Sequence, residues 1–243
     1  MEKKRRLKKG FRRFLTLLVI TGITVTCIFT GKKVKSYLEI GENNYYFTLK
    51  AYKDKDFNYK SVRSGVDRNK NGIDDTMDLV YAARRIAHKH PVYKDAFYGG
   101  GYPPEDEGVC TDMIWRSLKA LNIDFKSLID EDIASYPTLY SRVQVHGKAL
   151  PDIDFRRVPN IKSYLTRHAK VLTTDIEEKE TFQAGDIVVF NEDHVAIISD
   201  YRDKEGYPYI IHHSGVDQVH MEEDVLVELN ASKPITGHFR YQF

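Results

Sequence analysis

The chain has 243 residues, with 37 Lys and Arg against 35 Asp and Glu, a formal net charge of +2 and a hydrophobic fraction of 42%. Most of the positive excess lies in residues 1–13, so the remainder is near neutral or mildly acidic, which argues against a nucleic-acid partner. About 200 residues remain after the N-terminal segments, which suits one domain with its own core.

The N-terminal segment has the pattern of a membrane anchor. Residues 1–13 form a basic tail, and residues 14–30 carry no charge. This apolar run lies at the short end of the roughly 17–25 residues that span a bilayer, and the basic tail keeps the N-terminus cytoplasmic. A cleaved secretion signal is the alternative, although no small-residue cleavage site follows. We therefore expect one transmembrane signal-anchor, a juxtamembrane linker over residues 31–60 with a short strand at 45–49, and an extracytoplasmic domain over residues 61–243, which is secreted if the segment is cleaved.

The stretch DRNKNGIDDTMD, residues 67–78, fits a calcium loop. Oxygen-bearing side chains fall at positions 1, 3 and 5, Gly72 allows the sharp turn at position 6, and acids occupy positions 9 and 12. The expected ligands are Asp67, Asn69, Asn71, the carbonyl of Ile73, Asp75 and Asp78. Position 12 is Asp rather than Glu and no helix precedes the loop, so we expect a single structural Ca²⁺ site. A solvated turn that caps the next helix is the alternative.

Helical spacing dominates the first half of the domain. Apolar residues recur every three or four positions after the loop until Pro91, and again after Cys110 at Ile114, Leu118 and Leu121. A loop rich in Gly, Pro and acids, residues 98–108, separates these two helices. DFKSLIDEDI (124–133) and VPNIKSYLTRHA (158–169) predict two more short helices.

The character of the sequence changes after Thr181. GDIVVF, HVAIISDY, YPYIIHHSG, DVLVEL and ITGHFRYQF are short, rich in β-branched and aromatic residues, and separated by turn signals, so each is predicted to be a strand. Helices first and strands afterwards predict an α+β domain with an antiparallel sheet.

Cys110 is the candidate nucleophile. The other cysteine, Cys27, lies in the apolar segment, so the domain carries a single thiol. A thiol in the first turn of a helix gains from the free backbone N–H groups there, which favour the thiolate and also bind an oxyanion. His194 opens one predicted strand and supplies a base, and His212 on the next strand supplies a third group that orients it. A buried, inert cysteine is the structural alternative.

A helix-borne Cys followed by two strand-borne polar residues is the papain-type order. GDIVVF-x3-HVAIISD resembles the NlpC-like branch of the papain-fold superfamily, whose members are mostly bacterial cell-wall peptidases and amidases. Over roughly residues 75–243 the chain resembles more closely the domain of unknown function family 1287. The matching stretches, in order, are YPPEDEGVCTDMIWRSLKALNIDFKSLIDEDI, PDIDFRRVPNIKSYLTRHA, QAGDIVVF, HVAIISD, IIHHSG and ITGHFRY.

The resemblance implies a papain-like NlpC-type fold in which N-terminal helices carrying the Cys pack on a C-terminal antiparallel sheet. It assigns Cys110 as nucleophile, His194 as base and His212 as the orienting residue, while His213 stands where relatives usually show Asn. The implied function is a membrane-anchored, extracytoplasmic cysteine hydrolase, a peptidase or amidase acting on peptide amides of the bacterial cell wall. A catalytically silent module that binds wall peptides or a protein in the same groove is the alternative.

Six further side chains are candidates for substrate binding: Tyr102, Asp106, Asp112, Arg156, Arg157 and His213. Asp112 is two residues past the thiol and either caps the helix or binds a substrate ammonium. The two arginines either clamp a carboxylate or form buried ion pairs with Asp152 or Asp154. We expect no cofactor for catalysis, because no CxxC, HxH or HExxH spacing supports a zinc site.

Overall fold

The structure is a computed structural model that describes residues 51–243. The predicted basic tail, the membrane segment and the strand at 45–49 lie outside the described residues. None of the helices within residues 51–243 has the length and apolar character needed to cross a membrane.

Six α-helices occur in the described part of the chain. They are α1 (Asp75–Lys89), α2 (Cys110–Lys119), α3 (Phe125–Ser135), α4 (Ser141–His146), α5 (Val158–His168) and α6 (Leu226–Ser232). Asp74 caps α1 by accepting a hydrogen bond from the Thr76 backbone N–H, and α1 ends at Lys89, with His90 as its C-cap just before Pro91. The four helices predicted from 3.6-residue spacing are therefore confirmed.

Two short strands lie among the helices, and a six-stranded sheet forms the C-terminal half. The strands are β1 (Val92–Tyr93), β2 (Glu107–Gly108), β3 (Lys170–Val171), β4 (Ile187–Phe190), β5 (His194–Arg202), β6 (Pro208–Ile211), β7 (Glu222–Glu223) and β8 (Ile235–Arg240). The sheet order is β3-β8-β4-β5-β6-β7, and every neighbouring pair in it is antiparallel. The predicted α+β class with an antiparallel sheet is thus confirmed.

Both faces of the central strands are buried. Ile187 and Val189 of β4 join the main core with the helices, whereas Val188 and Phe190 join a second, smaller core on the opposite face. This division follows from the two-residue alternation of side chains along a strand. The main core fixes α1 and α2 against β5, and this packing brings the start of α2 to the sheet.

The predicted strand DVLVEL is wrong. The sheet contains only Glu222–Glu223 in this region, and α6 begins at Leu226. Leu226 is buried in the second core, and Val225 and Leu229 pack against it, whereas Val227 is exposed. The residues that contact this core recur every three to four positions. A helix places such residues on one face, whereas a strand would place alternate residues on opposite faces.

Residues 51–60, which the sequence analysis places in the linker, pack on the sheet. Tyr52 forms an isolated antiparallel bridge with Arg202, and Lys53 forms an ion pair with Asp200. The guanidinium of Arg202 is buried and donates to the carboxylate of Asp54 at 2.5 Å. The folded part of the chain therefore includes these residues as well as 61–243.

Candidate active site

Cys110 is the first residue of α2, and the preceding turn is held tightly. Gly108 lies so close to the helix that an added Cβ would stand 3.2 Å from Cβ of Asp112 and 3.1 Å from a guanidinium nitrogen of Arg116. The guanidinium of Arg116 in turn donates to the carbonyls of Pro104, at 2.6 Å, and Glu107, at 2.8 Å. The GVC sequence therefore places the thiol at a fixed point on the surface of β5.

Asp112 joins three groups around the first turn of α2 through four hydrogen bonds. Its carboxylate accepts from the backbone N–H of Val109 at 2.8 Å and from the indole N–H of Trp115 at 2.7 Å. It also accepts two hydrogen bonds from Arg156, at 2.7 and 2.9 Å. Both side chains are only 1% exposed, so this is a buried bidentate ion pair.

Asp112 and Arg156, both predicted to bind substrate, pair with each other instead. Asp112 caps α2, as the safer of the two sequence interpretations predicts, and Arg156 pairs with Asp112 rather than with Asp152 or Asp154. The third arm of the guanidinium donates to the carbonyl of Ala96 at 2.9 Å. Both charges are used inside the protein, so they stabilise the loop before Cys110 and are not presented to a ligand.

The thiol of Cys110 is buried. The backbone N–H groups of Val195 and Thr111 lie close enough to Sγ to favour the thiolate. Burial raises the pKa of this thiol to about 11, because the thiolate loses hydration, and the two N–H donors offset only part of that effect. The expectation that the helix N-terminus lowers the thiol pKa is therefore wrong for this buried thiol.

The two predicted histidines meet where β5 begins and β6 ends, at one end of the sheet. Nε2 of His194, at the start of β5, lies 2.8 Å from Nδ1 of His212, which follows β6. Burial lowers the pKa of His194 to about 3, and repulsion from a protonated His212 and from Lys233 adds to the effect. The resting imidazole of His194 is therefore neutral at pH 7.

Cys110 and His194 approach the same end of β5 without a direct bond. Sγ contacts the backbone of Val195, the residue after His194, and no hydrogen bond joins Sγ to a ring nitrogen of His194 in the described structure. The resting pair is thus an uncharged thiol and an uncharged imidazole. Catalytic hydrogen bonds are often long or misaligned before substrate binds, and they tighten in the complex.

These residues lie inside a recognised family. The family described as "Domain of unknown function (DUF1287)" matches residues 80–241. The chain belongs to the DUF1287 family.

A relative in Escherichia coli matches a large part of the chain. "Uncharacterized protein YijF" of Escherichia coli (strain K12) is 34% identical over 155 residues, which cover 62% of this chain and 72% of the relative. No solved structure matches the chain. The DUF1287 region contains Cys110, His194, His212 and the Asp112–Arg156 pair, whereas the candidate calcium loop precedes it.

His213 lies near the thiol by way of Tyr93, a residue that the sequence analysis did not single out. The rings of His213 and Tyr93 meet edge to face, with centroids 5.1 Å apart. Burial raises the pKa of the Tyr93 phenol, and the thiolate charge of the nearby Cys110 raises it further. Burial also lowers the pKa of His213 to about 4. Only tertiary packing reveals Tyr93, because β1 is a two-residue strand without a sequence motif.

The remaining substrate-binding candidates lie apart from the thiol contacts. Tyr102 packs on Trp115 and Phe155, with centroids 4.9 and 5.3 Å apart, on the surface of α2. Asp106 is exposed and contributes its backbone carbonyl to the Val92 N–H. Arg157 lies beside His146, with 2.6 Å between nitrogens. None of these side chains contacts Cys110, His194 or His212 in the described part of the chain.

The candidate calcium loop is closed by its own hydrogen bonds. Asp67 accepts from the N–H groups of Asn71 and Gly72 at 3.1 and 2.9 Å, and Asn69 and Asn71 donate through their amides to Asp78, at 2.6 and 2.9 Å. Of the predicted ligands not yet placed, Ile73 is exposed and Asp75 is buried, with one oxygen accepting from the Arg68 N–H at 2.9 Å. The side chains at positions 3, 5 and 12 of the loop therefore meet, and the side chain at position 1 binds the backbone of the same turn.

The acidic side chains of the loop do not by themselves form a metal-binding cluster. Residues 51–243 contain no group of three or more His, Cys, Asp and Glu side chains placed to hold a metal ion. The loop would use two amides and a carbonyl in addition to its acids. For Ca²⁺ to bind, the amide groups of Asn69 and Asn71 would turn so that their oxygens, not their nitrogens, face an ion held between them and Asp78.

Proposed function

We propose that this DUF1287 protein is a cysteine hydrolase, a peptidase or amidase with a papain-like NlpC-type arrangement, in which Cys110 is the nucleophile, His194 the base and His212 the group that orients His194. The observation that carries the proposal is the convergence at the end of β5. There the thiol from the first turn of α2 contacts the residue next to an imidazole that is itself bonded to a second imidazole at 2.8 Å.

The chemistry would be acyl transfer through a thioester. Sγ attacks the amide carbonyl as His194 takes the thiol proton, and the C–N bond breaks as His194 returns that proton to the leaving amine. Water then hydrolyses the thioester with His194 again as base, which restores the thiol. The backbone N–H groups of Thr111, at the start of α2, and of Val195 lie close to the sulfur and could stabilise the oxyanion.

The buried, uncharged thiol sets a condition on this proposal. The imidazole of His194 must turn toward Sγ when substrate binds, because the two are not hydrogen-bonded at rest. Its Nε2 is already engaged by His212, so Nδ1 is the atom left to take the proton. The same resting state favours the second candidate, a catalytically silent module that binds wall peptides or a protein on this surface.

We further propose, as in the sequence analysis, that the substrate is a peptide amide of the bacterial cell wall and that residues 14–30 anchor the domain outside the cytoplasmic membrane. External protease added to intact cells should then degrade the domain. Full protection from that protease would contradict this orientation. The loop at residues 67–78 is proposed to bind a structural Ca²⁺.

The function is tested by digesting purified peptidoglycan with the purified full chain and identifying released amines and fragments by mass spectrometry. Replacing a catalytic nucleophile removes most of the rate, so we expect Cys110→Ala to lower product release by at least about 1,000-fold. Cys27→Ser is the matched control, since it changes the other thiol and should leave the rate unchanged. Equal release by wild type and Cys110→Ala would exclude the hydrolase and leave the binding module.

A further inference from the structure

The second nitrogen of His212 is buried and faces a carboxylate. His212 has only 3% of its side chain exposed, and its Nε2 makes no hydrogen bond among the described residues. The nearest charged atom is Oε2 of Glu223, at 3.6 Å. Most buried polar atoms are paired, so an imidazole nitrogen left without a partner needs an explanation.

The sheet itself fixes this juxtaposition. β7 pairs antiparallel with β6, with Glu223 opposite Ile210 and Glu222 opposite Ile211. The pairing continues one step further, because the N–H of His212 donates to the carbonyl of Met221 at 2.8 Å. Glu223 is therefore held beside His212 by backbone hydrogen bonds, whatever its side chain does.

The two adjacent glutamates of β7 have different roles. The carboxylate of Glu222 is buried and takes hydrogen bonds from Arg84, at 2.5 and 2.7 Å, and from Ser199. Glu223 has 23% of its side chain exposed, and its nearest hydrogen-bond donor is the amide of Gln218, at the long distance of 3.4 Å. A movement of about 0.7 Å would bring Glu223 into hydrogen-bonding distance of His212.

We propose that Glu223 is a positioning residue that sets the tautomers of both imidazoles; this inference rests on the proposed function of Cys110 and His194. A carboxylate accepts but does not donate, so it selects the His212 tautomer with its proton on Nε2. Nδ1 of His212 then carries the lone pair and accepts from Nε2–H of His194 across the 2.8 Å contact. Nδ1 of His194 is left without a proton, as a base for the thiol must be.

The opposite tautomer of His212 would disable the base. With the proton on Nδ1, His212 would donate to Nε2 of His194, and His194 would then carry its own proton on Nδ1. That atom could not accept the proton of Cys110. Glu223 thus acts on the reaction through two rings and touches neither substrate nor sulfur.

A purely structural role for Glu223 makes a different prediction. Gln218 accepts from the N–H of Ser214 at 2.8 Å and contacts Glu223 at 3.4 Å, so Glu223 could serve only to hold the loop at 214–218. Gln218→Ala removes that contact and leaves the carboxylate beside His212. It is therefore the control for loop anchoring, and Glu228→Ala, at an exposed glutamate of α6, is the control for loss of one charge.

The test reads the tautomers directly by ¹⁵N-detected NMR of histidine in the full chain carrying Cys110→Ala, at a pH where the rings are neutral. We expect His212 to be protonated on Nε2, and Glu223→Ala to raise the population of the other tautomer at least tenfold. Glu223→Gln, which keeps the side-chain volume in case the Ala variant does not fold, should act in the same direction, because its amide can donate to Nε2. Both control variants should leave the tautomer unchanged.

Activity is measured separately with Cys110 present. We expect kcat/KM to fall about 10- to 100-fold in Glu223→Gln, part of the 10²–10⁴ that a positioned general base supplies. The inference would be overturned, even if the enzyme is active, by a His212 tautomer population that stays unchanged in both Glu223 variants. The same holds if that population shifts equally in Gln218→Ala. A Glu223-dependent tautomer in a chain without hydrolase activity would instead overturn the proposed function alone.

Discussion

Replacing Asp112 by Asn tests the buried ion pair that holds the first turn of α2. The substitution keeps the shape of the side chain and removes its charge, so the guanidinium of Arg156, only 1% exposed, would be left buried without a counter-ion. The amide nitrogen would also face donors, because Val109, Trp115 and Arg156 all donate to this carboxylate. Breaking a buried pair in this way lowers the free energy of unfolding by about 3–5 kcal/mol.

The assay is equilibrium unfolding in guanidinium chloride, followed by tryptophan fluorescence. The chain has one Trp, and that residue, Trp115, donates to Asp112, so the signal reports on both the local bond and global unfolding. Glu105→Gln is the matched control, since it breaks the Lys89–Glu105 pair on the surface, where both side chains are largely exposed. We expect no measurable change for that variant.

A double variant separates charge from packing. Arg156→Met combined with Asp112→Asn removes both charges, and it should recover part of the stability lost in Asp112→Asn, because no uncompensated guanidinium remains. If Asp112→Asn were as stable as Glu105→Gln, the assignment of Asp112 and Arg156 as the internal support of the thiol would be refuted.

Two further predictions concern the thiol and the loop. In the full chain with Cys27→Ser, the pKa of about 11 predicts that iodoacetamide alkylates Cys110 below pH 9 at least about tenfold more slowly than it alkylates the same chain unfolded in guanidinium. The alkylation rate of the folded chain should still rise above pH 10. A plateau in that rate below pH 7 would instead indicate a preformed thiolate–imidazolium pair. For the loop at 67–78, a Kd of about 10⁻⁴–10⁻³ M and 10 mM Ca²⁺ predict about 1.4–2.7 kcal/mol of stabilisation in thermal unfolding. Asp78→Asn should abolish this gain, and Asp95→Asn, at an exposed residue outside the loop, should not; an equal response to Ca²⁺ in all three chains would contradict a site in this loop.

Local patterns predicted most elements because they depend on residues close in sequence. The spacing around Cys110 and its capping Asp112 defined a helix that begins where the structure has it, and short runs of β-branched and aromatic residues between turn signals defined β4 and β5. The prediction failed at DVLVEL, where four apolar residues in a short run fit either period. There, contact with the second core decided for a helix.

The sequence by itself determined that one thiol stands at a helix start and that two histidines follow, one at the start of a strand and one at the end of the next, since chain order and residue spacing are local properties. Only the tertiary structure decided that Arg156, 44 residues further on, neutralises Asp112, because that contact depends on how separate elements pack. It likewise decided that the thiol is protonated at rest and that Glu223 faces His212. Burial and the pairing of β6 with β7 set the local electrostatics, and neither can be read from a run of residues.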